Sequence, residues 1–188
     1  TAILELRDIT FRDKHGNVIS QTSPTLLNDA RKVIIRFRTQ KNGEQMEKIV
    51  LWRSNKKLCP VIIWARICQR IRSYQGTTHR TTVNTVLLES CGKTVKLKSK
   101  YVITKLRHAV RFAGPRNLGI HVESVGTHSI RTSFAMMLAL RKVEDSKIMK
   151  KGRWKSDAFL RYIRNYVDQF GAECSADIAH EGNNFNII

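Results

Sequence analysis

No stretch of the chain approaches the roughly twenty consecutive apolar residues of a membrane-spanning helix, and no segment reads as a secretion signal. Nothing in it therefore points to export or to insertion in a bilayer. Cysteine is sparse. Cys59, Cys68, Cys91 and Cys174 form no C-x-x-C pair, and none stands at zinc-ligand spacing with a histidine. The expectation is a reduced, intracellular protein with inert thiols. Internal repeats and low-complexity segments are also missing.

Acidic residues are scarce too. Only 15 Asp and Glu stand against 34 Lys and Arg, giving a formal charge of +19. Asp168, Glu173, Asp177 and Glu181 fall beyond position 166, where there is no Lys or Arg, so all of the Lys and Arg lie in residues 1–166. Such a field draws a polyanion, and nucleic acid leads, because Lys and Arg that neutralise phosphates release counterions. A ribosomal-type structural protein or an anionic membrane surface would match the charge. Neither accounts for the tyrosine motif near the C-terminal end.

With 188 residues, 41% of them apolar, the chain can bury a core of its own, and one domain is the default count. Ile9-Thr10-Phe11-Arg12 reads as a short strand closed by the turn Lys14-His15-Gly16-Asn17. The segments 33–38 and 48–53 are β-branched and aromatic, and Lys41-Asn42-Gly43 between them is a turn signal. Together they predict a small antiparallel sheet.

Pro60 opens a helix in which Trp64, Ile67, Cys68 and Ile71 recur at helical spacing while Arg66 and Arg70 take the other face. A polar stretch, 76–82, separates this helix from the next region. Ser99 can cap a helix whose apolar stripe is Val102, Ile103, Leu106, Ala109 and Val110, ended by Gly114-Pro115. Residues 129–140 are apolar almost all round, which predicts a central, buried helix. Shorter helices are expected at about 144–151 and 157–170. The predicted fold class is α+β, mainly helical, with a small antiparallel sheet; residues 1–170 form the domain and 171–188 an acidic and apolar tail.

Most of the chemistry-bearing residues lie in the second half. His128 and Arg131, at i and i+3, project from one side of a helix start and can reach one phosphate. A guanidinium suits that task because its planar fork binds phosphate bidentately and keeps its proton. As a lone surface arginine, Arg131 would be an ordinary ion-pair partner. Trp154, in Gly152-Arg153-Trp154, offers an indole N–H to a phosphate oxygen while its ring packs.

Tyr162 falls on the border of the apolar stripe Phe159, Ile163, Tyr166 and Phe170, whereas Tyr166 falls near its centre. Tyr162 is therefore the tyrosine offered to a ligand. Flanking Arg161 and Arg164 favour its phenolate, which a phenol of pKa near about 10 needs at neutral pH. Lys41, on the hairpin turn, can reach into a groove as a general acid, although turns are also where solvated lysines collect.

Lys41 on a hairpin, His128-x-x-Arg131, Gly152-x-Trp154 and Tyr162-Ile163-Arg164, in that order, resemble the catalytic domain of the tyrosine recombinase (phage-integrase) family. The run from Gly152 to Arg164 and the segment from Arg38 to Gly43 are most similar to recombinases of crypton and DIRS-like mobile elements. The resemblance spans roughly 4–170. It implies a site-specific recombinase or integrase that cuts double-stranded DNA through a 3′-phosphotyrosyl link, with no metal or other cofactor, as a homo-oligomer on DNA, nuclear if the source is eukaryotic.

Within the resemblance, Tyr162 is the nucleophile and Arg131 the second of two phosphate-binding arginines. Lys41 is the general acid, His128 a second acid/base and phosphate donor, and Trp154 the residue at the family's His/Trp position. Trp154 and Tyr162 are eight positions apart where the family commonly has nine. The first arginine is expected about three positions upstream of Thr1, with a core-binding domain before it, and Arg7 is not its substitute. The 188 residues alone are accordingly expected to bind DNA without cutting it. The alternatives are a type IB topoisomerase-like enzyme and a domesticated DNA-binding module that no longer cuts.

Overall fold

The computed structural model describes residues 3–39, 45–154, 156 and 160. Composition set one domain as the default, and the chain divides into two compact units, Thr1–Lys98 and Ser99–Ile188. The class is α+β, and among the described residues the strands all lie in the first unit.

In the first unit a 3₁₀ turn, Leu6–Asp8, leads into β1 (Ile9–Arg12). The predicted turn comes next and is knotted by Asp13, whose carboxylate accepts the backbone N–H groups of His15 and Asn17, both at 2.8 Å. Gly16, at φ +91°, supplies the left-handed residue. After it come β2 (Val18–Ile19), α1 (Leu26–Asp29), β3 (Lys32–Thr39) and β4 (Gln45–Trp52). They form an antiparallel sheet of order β2-β1-β3-β4, so the predicted sheet is present with one strand more. Lys41 lies among residues 40–44, outside those described.

Period-two alternation assigns the two faces of the sheet. Ile9, Phe11, Val33 and Ile35 are buried on one of them. Helix α2 (Pro60–Arg72) begins with Pro60 in its first turn and packs there through Val61, Ala65, Cys68 and Ile71. Trp64 and Ile67, expected on this stripe, are only partly buried against it. Burial pushes the Cys68 thiol up to about 12, against the charge of Arg72. Its thiolate is scarce at neutral pH, and the thiol is inert.

Two features escaped the sequence reading. The polar stretch after α2 is not a mere spacer: His79 and Thr81 accept backbone hydrogen bonds from Arg7 and Leu6, both at 2.9 Å, and Val83 donates to Leu4. Beyond it β5 (Thr85–Leu88) and β6 (Lys93–Lys96) make a separate two-stranded ribbon, with Gly92 at φ +64° in the turn.

The second unit holds α3 (Ser99–Ala113), α4 (Pro115–Leu118), a 3₁₀ turn Val122–Ser124, α5 (Thr127–Leu140) and α6 (Asp145–Gly152). Its described core is small: Ala135 and Ile148, with Leu138, Val143, Met149 and Trp154 packed against them. The expectation of a buried helix over 129–140 is corrected here. The helix forms, but Ala135 is its one buried residue, and Ile130 and Leu140 are 53% and 63% exposed. Apolar residues around the whole cylinder ask for neighbours on all sides. Among the described residues α5 is flanked chiefly by α6 and α3. No helix of the described residues is long and apolar enough to cross a membrane. The predicted helix at 157–170 and the tail 171–188 lie outside the described residues, save Leu160.

The N-terminal turn is fastened to β3 by charge. Asp8, 4% exposed, accepts the Glu5 backbone N–H at 2.8 Å and pairs with Arg38 Nε at 3.1 Å, while Arg38 Nη2 reaches Glu5 at 3.0 Å. Desolvation alone would raise the Glu5 carboxyl, but the hydrogen bonds and charges of Arg38 and Arg7 hold it below its ordinary 4.5. Asp8→Ala strands a buried part of this network and is expected to cost about 2–4 kcal/mol in chemical denaturation. A lowered folded-state pKa means that the Glu5 contribution is complete above 4.5 and lost as the pH falls through the lowered value. Glu5→Gln should therefore flatten the decline of melting temperature from about pH 5 to about pH 3, and an unchanged acid limb would count against this clasp.

Candidate functional site

The N-terminus of α5 is set by its own first turn and by α3. Gly126, extended at φ −145°, donates its N–H to Ser129 Oγ at 3.0 Å, so the serine between His128 and Arg131 closes the helix start. Arg107 on α3 holds the segment just before it. Its Nε donates to Val125 O at 3.0 Å, its Nη2 to Glu123 O at 2.7 Å, and its Nη1 pairs with the Glu123 carboxylate at 2.8 Å. Arg111, one turn on, adds a contact at 3.3 Å. These side chains were missed in the sequence. Glu123 is the only acidic residue between Glu89 and Glu144, and that isolation was the available signal.

Arg131 and Trp154, 23 positions apart in the chain, come together. The Arg131 guanidinium lies 4.6 Å from the centre of the Trp154 ring, and its Nη2 donates to Gly152 O at 2.9 Å and to Arg153 O at 3.3 Å. These carbonyls end α6, where the helix dipole favours a cation. Stacking and hydrogen bonding together fix the guanidinium plane of an exposed residue. Of the five N–H donors in the fork, the carbonyls engage those on Nη2.

The spelling Gly152-Arg153-Trp154 has a local cause. Arg153 is left-handed at φ +57°, which turns the chain so that Trp154 N–H reaches back to Met149 O at 3.0 Å. The same turn lays the indole over Gly152, where its ring occupies the space a Cβ would fill. Lys142, at φ +56° just after α5, is left-handed as well, so α6 has such a residue on either side.

His128, exposed in the first turn of α5, lines a cleft of about 640 Å³ whose walls include Leu106 and Val110 of α3 together with Ile120, Val125 and Ile130. His128 thus stands at a recess within the second unit, one turn before Arg131. Lys41 and Tyr162 lie outside the described residues. Arg7 does not act as a stray cation here: its Nε pairs with Glu5 at 2.7 Å. Among the described residues no cluster of His, Cys, Asp and Glu is placed to hold a metal ion.

No protein-family model matches the chain, and no match was found among curated proteins.

The glycine makes this geometry testable. Gly152→Ala must push the indole aside, with an expected cost of about 1–3 kcal/mol for the overpacking. In a chain whose Trp52 and Trp64 are replaced by Phe, the emission of Trp154 should shift to longer wavelength. Unaltered stability and emission would show that the ring does not rest on Gly152.

Proposed function

We propose that the chain is the catalytic part of a tyrosine recombinase that cuts and rejoins double-stranded DNA through a covalent 3′-phosphotyrosyl link, the 188 residues binding DNA but needing an upstream arginine to cut it. The Tyr162 phenolate oxygen attacks the phosphorus, the bond to the 5′ oxygen breaks, and the departing oxygen takes a proton from Lys41. Arg131, His128 and the Trp154 indole N–H meet the negative charge on the non-bridging oxygens. The link stores the bond, so religation reverses these steps and needs no outside energy source.

The observation that carries this reading is the Arg131–Trp154 stack. Two residues that the resemblance assigns to one phosphate are neighbours, with the guanidinium exposed and its plane held by carbonyls it cannot outrun. The charge of +19 adds sequence-independent affinity for the substrate.

The test is adduct formation on a nicked duplex, read on a denaturing gel, by the chain and by any longer form of it that supplies an upstream arginine. Tyr162→Phe should abolish the adduct and leave non-covalent binding nearly unchanged, while Arg131→Ala should slow its formation by about a hundred- to a thousand-fold. An adduct that survives Tyr162→Phe but not Tyr166→Phe would move the nucleophile. Salt-sensitive binding with no adduct in any form would favour the non-cutting module, and relaxation without strand exchange the topoisomerase.

A further inference from the structure

Helix α2 covers one face of the four-stranded sheet, and the opposite face carries a ladder of cations. Arg12, Lys32, Arg36 and Lys48 all point to it, by the alternation that sends Phe11, Val33 and Ile35 into the core. Arg12 stands directly opposite Lys32, and Arg36 directly opposite Lys48. Like charges opposite one another destabilise a sheet, and this sheet has two such pairs, about 13 Å apart along β3.

Neither pair is neutralised among the described residues. Arg38, at the far end of β3, has Glu5 and Asp8, but no carboxylate is paired with Arg12, Lys32, Arg36 or Lys48. Arg36 Nε is buried without a hydrogen-bond partner. The one acidic residue within the four strands, Glu47, is opposite Phe37 and points to the α2 side. Beside the ladder Trp52 is 64% exposed, with the Lys32 ammonium 5.1 Å from its ring centre, and Val18 and Val50 are exposed around it.

We propose that this open face of the sheet binds single-stranded nucleic acid, its phosphates between the cation pairs and a base stacked on Trp52. The cations ask for a polyanion. The exposed indole selects among polyanions, because a single strand presents the flat faces of its bases whereas a duplex hides them in its own stack. The two like-charge pairs are the stability given up for the binding surface. The inference stands on the first unit alone and is independent of Tyr162 and of any cutting activity.

The experiment compares the full chain and its variants, by fluorescence anisotropy over a range of salt, on a labelled oligo-dT of about twenty nucleotides and on a duplex of equal length. Trp52→Ala should weaken oligo-dT binding by about tenfold or more while changing duplex affinity less than about twofold, and Trp52→Phe should restore most of the loss. The double variant Arg36→Gln, Lys48→Gln should lower the slope of log affinity against log salt on oligo-dT by about 1.4, as for two phosphates released. It should also raise the melting temperature of the free chain, an effect opposite to that of removing a structural contact. Equal losses on both ligands after Trp52→Ala, or none on oligo-dT, would overturn the assignment. So would a double variant that melts earlier with its salt slope unchanged.

Discussion

Val33 and Ile35 are buried in the middle of β3, bonded to β1 on one side and β4 on the other and roofed by α2. Because side chains alternate along a strand, burying these two commits Lys32, Ile34 and Arg36 to the opposite face and fixes the register of both neighbours. A one-residue slip would carry guanidinium groups under α2. The sheet order, the seat of α2 and the exposure of the cation ladder all derive from that single requirement. The Arg38 clasp extends it, tying the start of the chain to the strand whose placement is least negotiable.

The second unit is organised differently. Its described core is too small to dictate geometry by burial, and polar contacts take over. Arg107 gathers the segment ahead of α5 with three of its nitrogens, two on backbone carbonyls and one on the Glu123 carboxylate, and Arg131 ties α5 to the end of α6. Arginine can act as a structural tie because one fork satisfies several carbonyls at once, including the unpaired ones at a helix end. Part of the basic excess of the chain is therefore spent on holding its own backbone, and the sign of the net charge alone overstates what is left for a partner.

The sheet was legible wherever alternation and turn chemistry agreed: β1, its Gly16 turn, β3 and β4 stand where the residues put them. So were α2 from Pro60 and α3 from Ser99, where a helix start and an amphipathic stripe coincide. The ribbon β5–β6 was not, because both strands are largely exposed and lack the one-sided apolar pattern that betrays a buried face. The return of residues 79–83 onto the N-terminal segment is made of backbone hydrogen bonds, which leave no mark in side-chain identity. For α5 the helix was readable and its burial was not, since apolarity sets a demand for partners and cannot count them. At the candidate site His128, Arg131 and Trp154 were visible as residue types in an ordered pattern. Of what brings Arg131 and Trp154 together, the missing Cβ at Gly152 is spelled in the letters, whereas the left-handed Arg153 is backbone geometry that they do not spell.

Helix α6 is held between Lys142 and Arg153, both in a conformation that costs an L-residue roughly 1–2 kcal/mol. A helix of eight residues thus has a strained residue at the joint on either side. When it opens, both joints relax, and the backbone returns energy that a helix with glycine joints would not have stored. Opening also withdraws Trp154 and the carbonyls of Gly152 and Arg153 from Arg131. The orientation of that guanidinium is thus coupled to a local folding equilibrium, and the backbone amides of α6 belong among those that exchange with solvent ahead of the buried helix α2.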